Sequence, residues 1–455
     1  MPLPEITRVL AAESVSNFGS MLSRLVIPWL AALVLQATPM QMAALLVADV
    51  LAAALGSLLL AAWVDRSGKR AVMLWADGLR LVLMLGLAAA TWWGWVSLGW
   101  LVLVAAANGV LAMAFELARS AWLAQRVQVA DLPQRNAQLS MVGSLSETAA
   151  FAIGGWLYQG LGATLSFVVD ACSYAASALC LRGVSEVRTE VAGASDAGAA
   201  PSKTAAPATT ATTAASALTD APAASAQPAL RRFGQESAAG MRAIAQRPAL
   251  RALAGIEALG SFSFALTGTV YTIYVTRELG VSTAAAGMVA ALGGAGAVLG
   301  AALAPRLGQR IGRGRTMALG LSLFALGGAC IPLAGWAAAG QLAAATPGAG
   351  AGVGVGVGVL SLGVVAWLVA HQVVGDAGHT LHDVHDRTLR QTAVPPQLLA
   401  RADAGIRSVG QIALLLGAGV GGVLGTTLGS VAVLWLATAA AAAAALLAVW
   451  RLAER

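Results

Sequence analysis

"LGSLLLAAWVDRSGKR" (55–70) runs ten residues without a charge and then places Asp65, Arg66, Lys69 and Arg70 within six positions. Directly afterwards "AVMLWADGLRLVLMLGLAAATWW" (71–93) is again almost wholly apolar. A helix needs about 20 apolar residues to cross the hydrocarbon core of a bilayer. A short charged turn between two such runs has to stay in water, so the stretch reads as a hairpin joining two membrane helices. The whole chain agrees: of 455 residues 58% are hydrophobic and 11% charged, with a mean hydropathy of +0.76. Soluble domains carry about a quarter charged residues. So much apolar surface calls for lipid as solvent.

The net charge of +7 is spread over short connectors between apolar runs, the way membrane topology uses basic residues, which excludes nucleic acid as a partner. Cys172, Cys180 and Cys330 sit in apolar segments without disulfide or metal spacing. The first apolar run is too long and too polar-striped for a cleavable signal peptide.

Windows of spanning length fall near 9–35, 42–64, 71–93, 97–118, 139–158, 162–181, 252–275, 284–304, 316–337, 353–375, 407–427 and 431–450. Twelve spans are therefore expected. With both termini in the cytoplasm, the short inner connectors and termini hold 17 basic residues and the outer connectors one, Arg277. Residues 183–250 separate the two sets of six. Within them 191–229 contains 17 alanines among 39 residues and reads as a disordered cytoplasmic linker. A surface helix is expected near 231–250. The domain division is thus 1–182, 183–250 and 251–455.

The halves repeat. Residues 55–70 align without gaps to "LGAALAPRLGQRIGRG" (299–314), a shift of 244, pairing Gly56 with Gly300 and Arg66 with Arg310. Asp65 meets Gln309, so the acid exists only in the first copy. At a shift of 267, "GGWLYQGLG" (154–162) meets "GGVLGTTLG" (421–429). On these features the chain resembles the major facilitator superfamily, in particular its drug- and siderophore-exporter branch. "GSLLLAAWVDRSGKR" looks like the family's signature between spans two and three. "LARSAWLAQRVQVADLPQRNAQLS" and "GGWLYQGLGATLSFVVDACSYAASAL" look like the branch's passage through spans four to six. Gln391 and Pro395 resemble its approach to span eleven. The chain departs from the pattern at Ala150 and Phe151, where many antiporters have Gly-Pro.

The resemblance implies an all-α integral membrane fold of twelve helices in two pseudo-symmetric six-helix halves. It also implies a monomer in the bacterial cytoplasmic membrane that moves a small-molecule substrate against protons. Gly56, Asp65, Arg66, Gly68 and Lys69 would then form a cytoplasmic latch, with Asp65 facing the positive N-terminal end of span eleven. The plain alternative is a topogenic turn and nothing more, which is the expected role of Arg70.

Ionisable groups inside the membrane are costly and mark function by default. Glu13, Asn17, Ser20 and Arg24 share one face of span one at steps of 4, 3 and 4, a stripe about 16 Å long. It is expected to face a water-filled cavity, the alternative being hydrogen bonds to neighbouring helices. Glu257, Ser261, Tyr271 and Tyr274 in span seven are further cavity candidates. Glu147 in span five, with Asp49 and Arg24, forms the candidate proton-coupling set. Asp77 with Arg80, and Glu116 with Arg119, are spaced as structural ion pairs.

His371, His379, His382 and His385 with their neighbouring aspartates tempt a metal reading, but steps of three drift around a helix, and no metal is expected. The alternating glycines at 348–358 lack a following Lys-Ser/Thr and are no phosphate cradle. No cofactor and no ATPase module are expected, and no spacing argues for an enzyme. The chain therefore reads as an exporter driven by an ion gradient. An importer of the same fold, or a non-transporting scaffold or sensor, are the competing readings.

Overall fold

A computed structural model describes residues 3–127, 132–186, 241–242, 244–345, 362–394 and 396–452. The expected linker (191–229) and the glycines at 348–358 lie outside the described residues, as does most of the expected surface helix. The described chain is all helical. In order come α1 (Leu3–Trp29), α2 (Pro39–Arg66), α3 (Lys69–Trp92) and α4 (Leu98–Arg126). The run Leu132–Arg182 is broken at Gly162, whose φ of +75° only glycine takes readily, into α5 (132–161) and α6 (163–182). The second half follows with α7 (Pro248–Ile273), α8 (Thr283–Ile311), α9 (Arg313–Ala345), α10 (Leu362–Ala393), α11 (Pro396–Thr427) and α12 (Ser430–Leu452). Among the described residues ten stretches are long and apolar enough to cross a membrane, one of them holding both α5 and α6.

The remaining helix, α10, overlaps the expected tenth span and extends past it. The tenth span was placed at 353–375, whereas the helix runs on to Ala393 and carries the whole histidine and aspartate string. Gly293, Gly296 and Gly300 of α8 and Gly320 and Gly327 of α9 let its backbone approach where a side chain would collide.

The repeat extends into local geometry. α1 and α7 each end in a π-helical turn, Leu30–Val34 and Tyr274–Glu278, which differ by the same 244 positions. Each turn is followed by a left-handed residue, Gln36 and Gly280, then by an N-cap hydroxyl, Thr38 for α2 and Ser282 for α8. Thr38 forms a full capping box with Gln41, and Pro39 occupies the first turn, where its missing N–H costs nothing. At the shift of 267, Gly162 and Gly429 both take positive φ between the fifth and sixth helices of their halves.

Exposed tryptophans mark two levels. Trp63, Trp75 and Trp450 lie near the face where α1 begins and α12 ends, hereafter the terminal face. Trp92, Trp93, Trp95, Trp156 and Trp336 lie near the opposite face. Indole rings collect in this way at bilayer interfaces.

The charged hairpin at 65–70 is built into its own half. Lys69 is 0% exposed, and its ammonium donates to the carbonyls of Val64, Asp65 and Ser67 at 2.6, 2.7 and 3.2 Å, closing the C-terminus of α2. The Glu186 carboxylate accepts from the Arg70 and Ala71 backbone N–H groups at 3.0 and 3.1 Å, capping α3. Gly68 makes room for it, since a Cβ there would lie 2.7 Å from the carboxylate. Arg70 is more than topogenic: its guanidinium donates to the Leu181 and Arg182 carbonyls at the end of α6.

Candidate functional site

The two halves meet near the opposite face at two related crossings. Gly155 of α5 lies against the backbone of Thr283 and Ala284 in α8, and Gly287 of α8 against the Phe151 carbonyl. A Cβ on either glycine would come within 3.0 Å of backbone atoms. The symmetry mate places Gly422 of α11 against Met40 and Ala43 of α2, with Gly425 against Pro39. Arg277 adds a hydrogen bond across the halves, donating to the Ala37 carbonyl at 3.0 Å. Toward the terminal face the same helices expose their facing residues: Ser140, Ser144 and Glu147 on α5, Ala301, Ala302 and Pro305 on α8, Arg407 and Gln411 on α11. A cavity thus opens between the halves toward the terminal face.

The stripe on α1 is spent on four neighbours in turn. Glu13 pairs with Arg119 of α4 at 2.8 Å, and Arg119 also reaches Glu116 at 3.8 Å, the expected i,i+3 pair. Asn17 donates to the Gly143 carbonyl of α5 at 3.2 Å. Ser20 accepts from Arg80 of α3 at 2.8 Å. Arg24 pairs with Asp49 of α2 at 3.7 Å. The first three are structural ties. The last remains open, with side chains 63% and 38% exposed, and is the stripe's contribution to the cavity.

Asp77 and Arg80 turn to separate partners. Asp77 accepts from Ser16 and Ser177 at 3.5 and 2.6 Å. Arg80 reaches Asn108 at 2.9 Å and lies over the Tyr174 ring, 4.3 Å from its centroid. Asp170, fully buried, accepts from Ser23 and Ser173. These groups brace the first half.

In the second half Glu257, the symmetry mate of Glu13, is likewise taken by an arginine: Arg390 of α10 at 2.8 Å, itself held by Asp386 at 2.7 Å and Asp403 at 3.9 Å. Ser261 donates to Glu257 at 3.4 Å. Tyr274 is buried and donates to the Pro332 carbonyl at 3.4 Å. Tyr271 stacks on His371 with centroids 5.8 Å apart, and His371 is hydrogen-bonded to the Gly327 carbonyl at 3.0 Å. Of the other histidines, the His379 and His382 rings lie 6.4 Å apart between centroids. His379 lies against Phe324 and pairs with Asp383, while His385 is turned to the Leu381 carbonyl. Among the described residues no group of three such side chains is placed to hold a metal ion.

Asp65 and Arg66 stay exposed at the terminal face, while Gly56 packs against Val110 of α4. Glu147 is exposed in the cavity. Asp376 of α10, which sequence reasoning set aside with the histidines, lies at the junction of α8, α10 and α5: its carboxylate touches Gly293, and Thr148 of α5 touches Gly294. The repeat carried a signal for it, because Gly293 and Asp376 are the mates of Asp49 and Gly109.

Comparison with known proteins gives the same architecture. A family model described as Major Facilitator Superfamily matches residues 9–380. No curated protein sequence matches the chain. Among solved structures, a bacterial homologue of the iron transporter ferroportin in an inward-facing state is 16% identical, with a TM-score of 0.68 over 100% of both chains. The nucleoside transporter NupG is 12% identical, with a TM-score of 0.67 over 99% of both. A bacterial homologue of the human lysosomal transporter Spinster, inward-facing and unoccupied, is 15% identical, with a TM-score of 0.64 over 100% of this chain and 99% of that one. At these identities the likeness is one of fold.

Proposed function

The chain belongs to the major facilitator superfamily, and on that premise we propose that it exports a small organic solute, drug- or siderophore-like, by proton-coupled alternating access. The observation that carries this reading is the open cavity between the halves with Arg24, Asp49 and Glu147 exposed to it. Charged groups at membrane depth are stable there only beside water, a partner or a substrate. The glycine crossings near the opposite face supply a closure that rocking of the halves can undo, and the cavity supplies the access on the other side.

In this reading the terminal face is cytoplasmic, which the distribution of basic residues supports, and the protein works as a monomer in a bacterial cytoplasmic membrane. Glu147 accepts a proton, with Asp49 and Arg24 as the adjoining charge pair. Tyr271, Tyr274, Ser261, Asn17 and Ser20 belong to the cavity wall or brace it. Asp65 is exposed in the present state, near the charge of Lys69, and acts as a latch only when the terminal face closes and brings the start of α11 near.

The test is accumulation of drugs and siderophores in cells with and without the protein, followed by pH-driven flux in liposomes. Export that raises resistance, and that falls at least tenfold in Glu147→Gln, supports the proposal. Equal accumulation across the compound set, or wild-type flux in the variant, opposes it.

A further inference from the structure

We propose that Asp376 and Glu147 form a single proton-carrying site that straddles the two halves, and that this site is what makes the conformational equilibrium respond to pH. The inference rests on the proton-coupled reading above and assigns the coupling to a pair that the sequence did not bring together.

The argument begins with the repeat. In the first half Asp49 of α2 lies against Gly109 of α4, where a Cβ would meet its carbonyl and carboxylate oxygens at 3.2 and 3.3 Å. The two repeat shifts carry Asp49 to Gly293 and Gly109 to Asp376. There the roles are exchanged: the carboxylate comes from α10 and the glycine from α8. Both halves therefore hold a carboxylate at the same helix crossing. Among the described residues, of these two only Asp49 has an arginine beside it. Arg24 pairs with Asp49, and the mate of Arg24 is Gly268.

Within electrostatic reach of Asp376 are Tyr271 from α7, His379 from its own helix and Glu147 from α5, and its carboxylate lies against Gly293 of α8. Glu147 makes no ion pair among the described residues. It lies eight residues before Gly155, and Gly293 lies nine after Ala284, so both stand about 12–14 Å from the α5–α8 crossing along their helices. The Gly293–Gly294 pair receives Asp376 on one side and Thr148, beside Glu147, on the other. Two carboxylates within electrostatic reach of each other repel, and one proton shared by the pair relieves the repulsion.

Position in the fold decides which pair couples. Arg24 and Asp49 belong to the same half and move together, so their interaction is the same in either state. Asp376 and Glu147 belong to different halves, and rocking changes their separation. A site whose proton affinity differs between two states shifts the populations of those states. The proton comes from bulk water and returns to it, with no other bond made or broken.

The experiment needs only protons as the probe. The full chain, in a background lacking its three cysteines, carries spin labels at Leu59→Cys and Ile412→Cys, one exposed site on each half, in lipid nanodiscs. Distances are recorded from pH 5 to 8. The expected result is a pH-dependent exchange between a long and a short distance that Asp376→Asn and Glu147→Gln each flatten and that Asp376→Glu and Glu116→Gln retain. A wild-type titration in Asp376→Asn or Glu147→Gln overturns the site, as does a parent protein whose distances ignore pH. Should Asp376→Asn fail to fold, Glu147→Gln, altered at an exposed position, decides alone. If the distances titrate as expected but no compound moves in liposomes, the export reading fails and the site stands.

Discussion

Lys69 shows how a charged residue can be structural inside a signature that looks functional. Its ammonium, removed from solvent, closes three carbonyls at the end of α2. Lys69→Met leaves those carbonyls without their donor, and charge-assisted hydrogen bonds are worth about 1.5–3 kcal/mol each. A loss of about 2–3 kcal/mol net is expected, seen as a lowered thermal midpoint in detergent, whereas Arg66→Gln, at an exposed position, stays within about 0.5 kcal/mol. Asp65 belongs to the opposite class. It is exposed and forms no ion pair among the described residues, so Asp65→Asn should change stability by no more than about 0.5 kcal/mol. The substitution should favour the inward-open population by about 0.3–1 kcal/mol, the size of one helix-end charge interaction. Distance measurements between the halves read this directly. The spacing of 65–70 disclosed the hairpin, but it could not say which charge was buried. That depends on Glu186 and Leu181, more than a hundred residues away, folding back onto the turn.

Among the elements, α5 and α8 carry the clearest mechanical burden. Gly155 and Gly287 bring two backbones together, and even a methyl group at either would have to push the helices apart. Gly155→Leu is therefore expected to break the closure near the opposite face and favour a state open there. Labelling of a cysteine at Ser144 from the opposite side should rise severalfold over the parent, while labelling from the terminal side falls. Gly160→Leu, at a glycine with open space around it, should change neither. α10 shows what hydropathy leaves open at this scale. Its apolar window ends near 375, and what supports the polar string beyond it is the close approach of α8 and α9, distant in sequence. The stripe on α1 was visible from its 4-3-4 spacing. Its division into three ties and one open pair was not, because the partners come from four different helices.

Over the whole molecule, the basic residues at one level and the two tryptophan levels make a joint prediction about orientation. A single cysteine at Trp95→Cys, on the α3–α4 connector, should react with an impermeant reagent added outside intact cells. One at Asp65→Cys should react only after the membrane is opened. The reverse pattern would invert the topology and with it the direction assigned to the cavity.

Composition and spacing alone determined the membrane class, the charged hairpin, the two-fold repeat and nearly every helix. These follow from local properties: about 20 apolar residues for a span, a capping hydroxyl at Thr38 and Ser282, a glycine where φ is positive. The repeat even held, unread, the exchange of Asp49 and Gly109 for Gly293 and Asp376. Tertiary structure alone decided which face of the cavity is closed, which of the intramembrane charges are neutralised by an arginine, and that Asp376 and Thr148, the neighbour of Glu147, meet the same pair of glycines. The physical reason is that a charge in a membrane is defined by its partner, and in a helical bundle the partner almost always arrives from another helix.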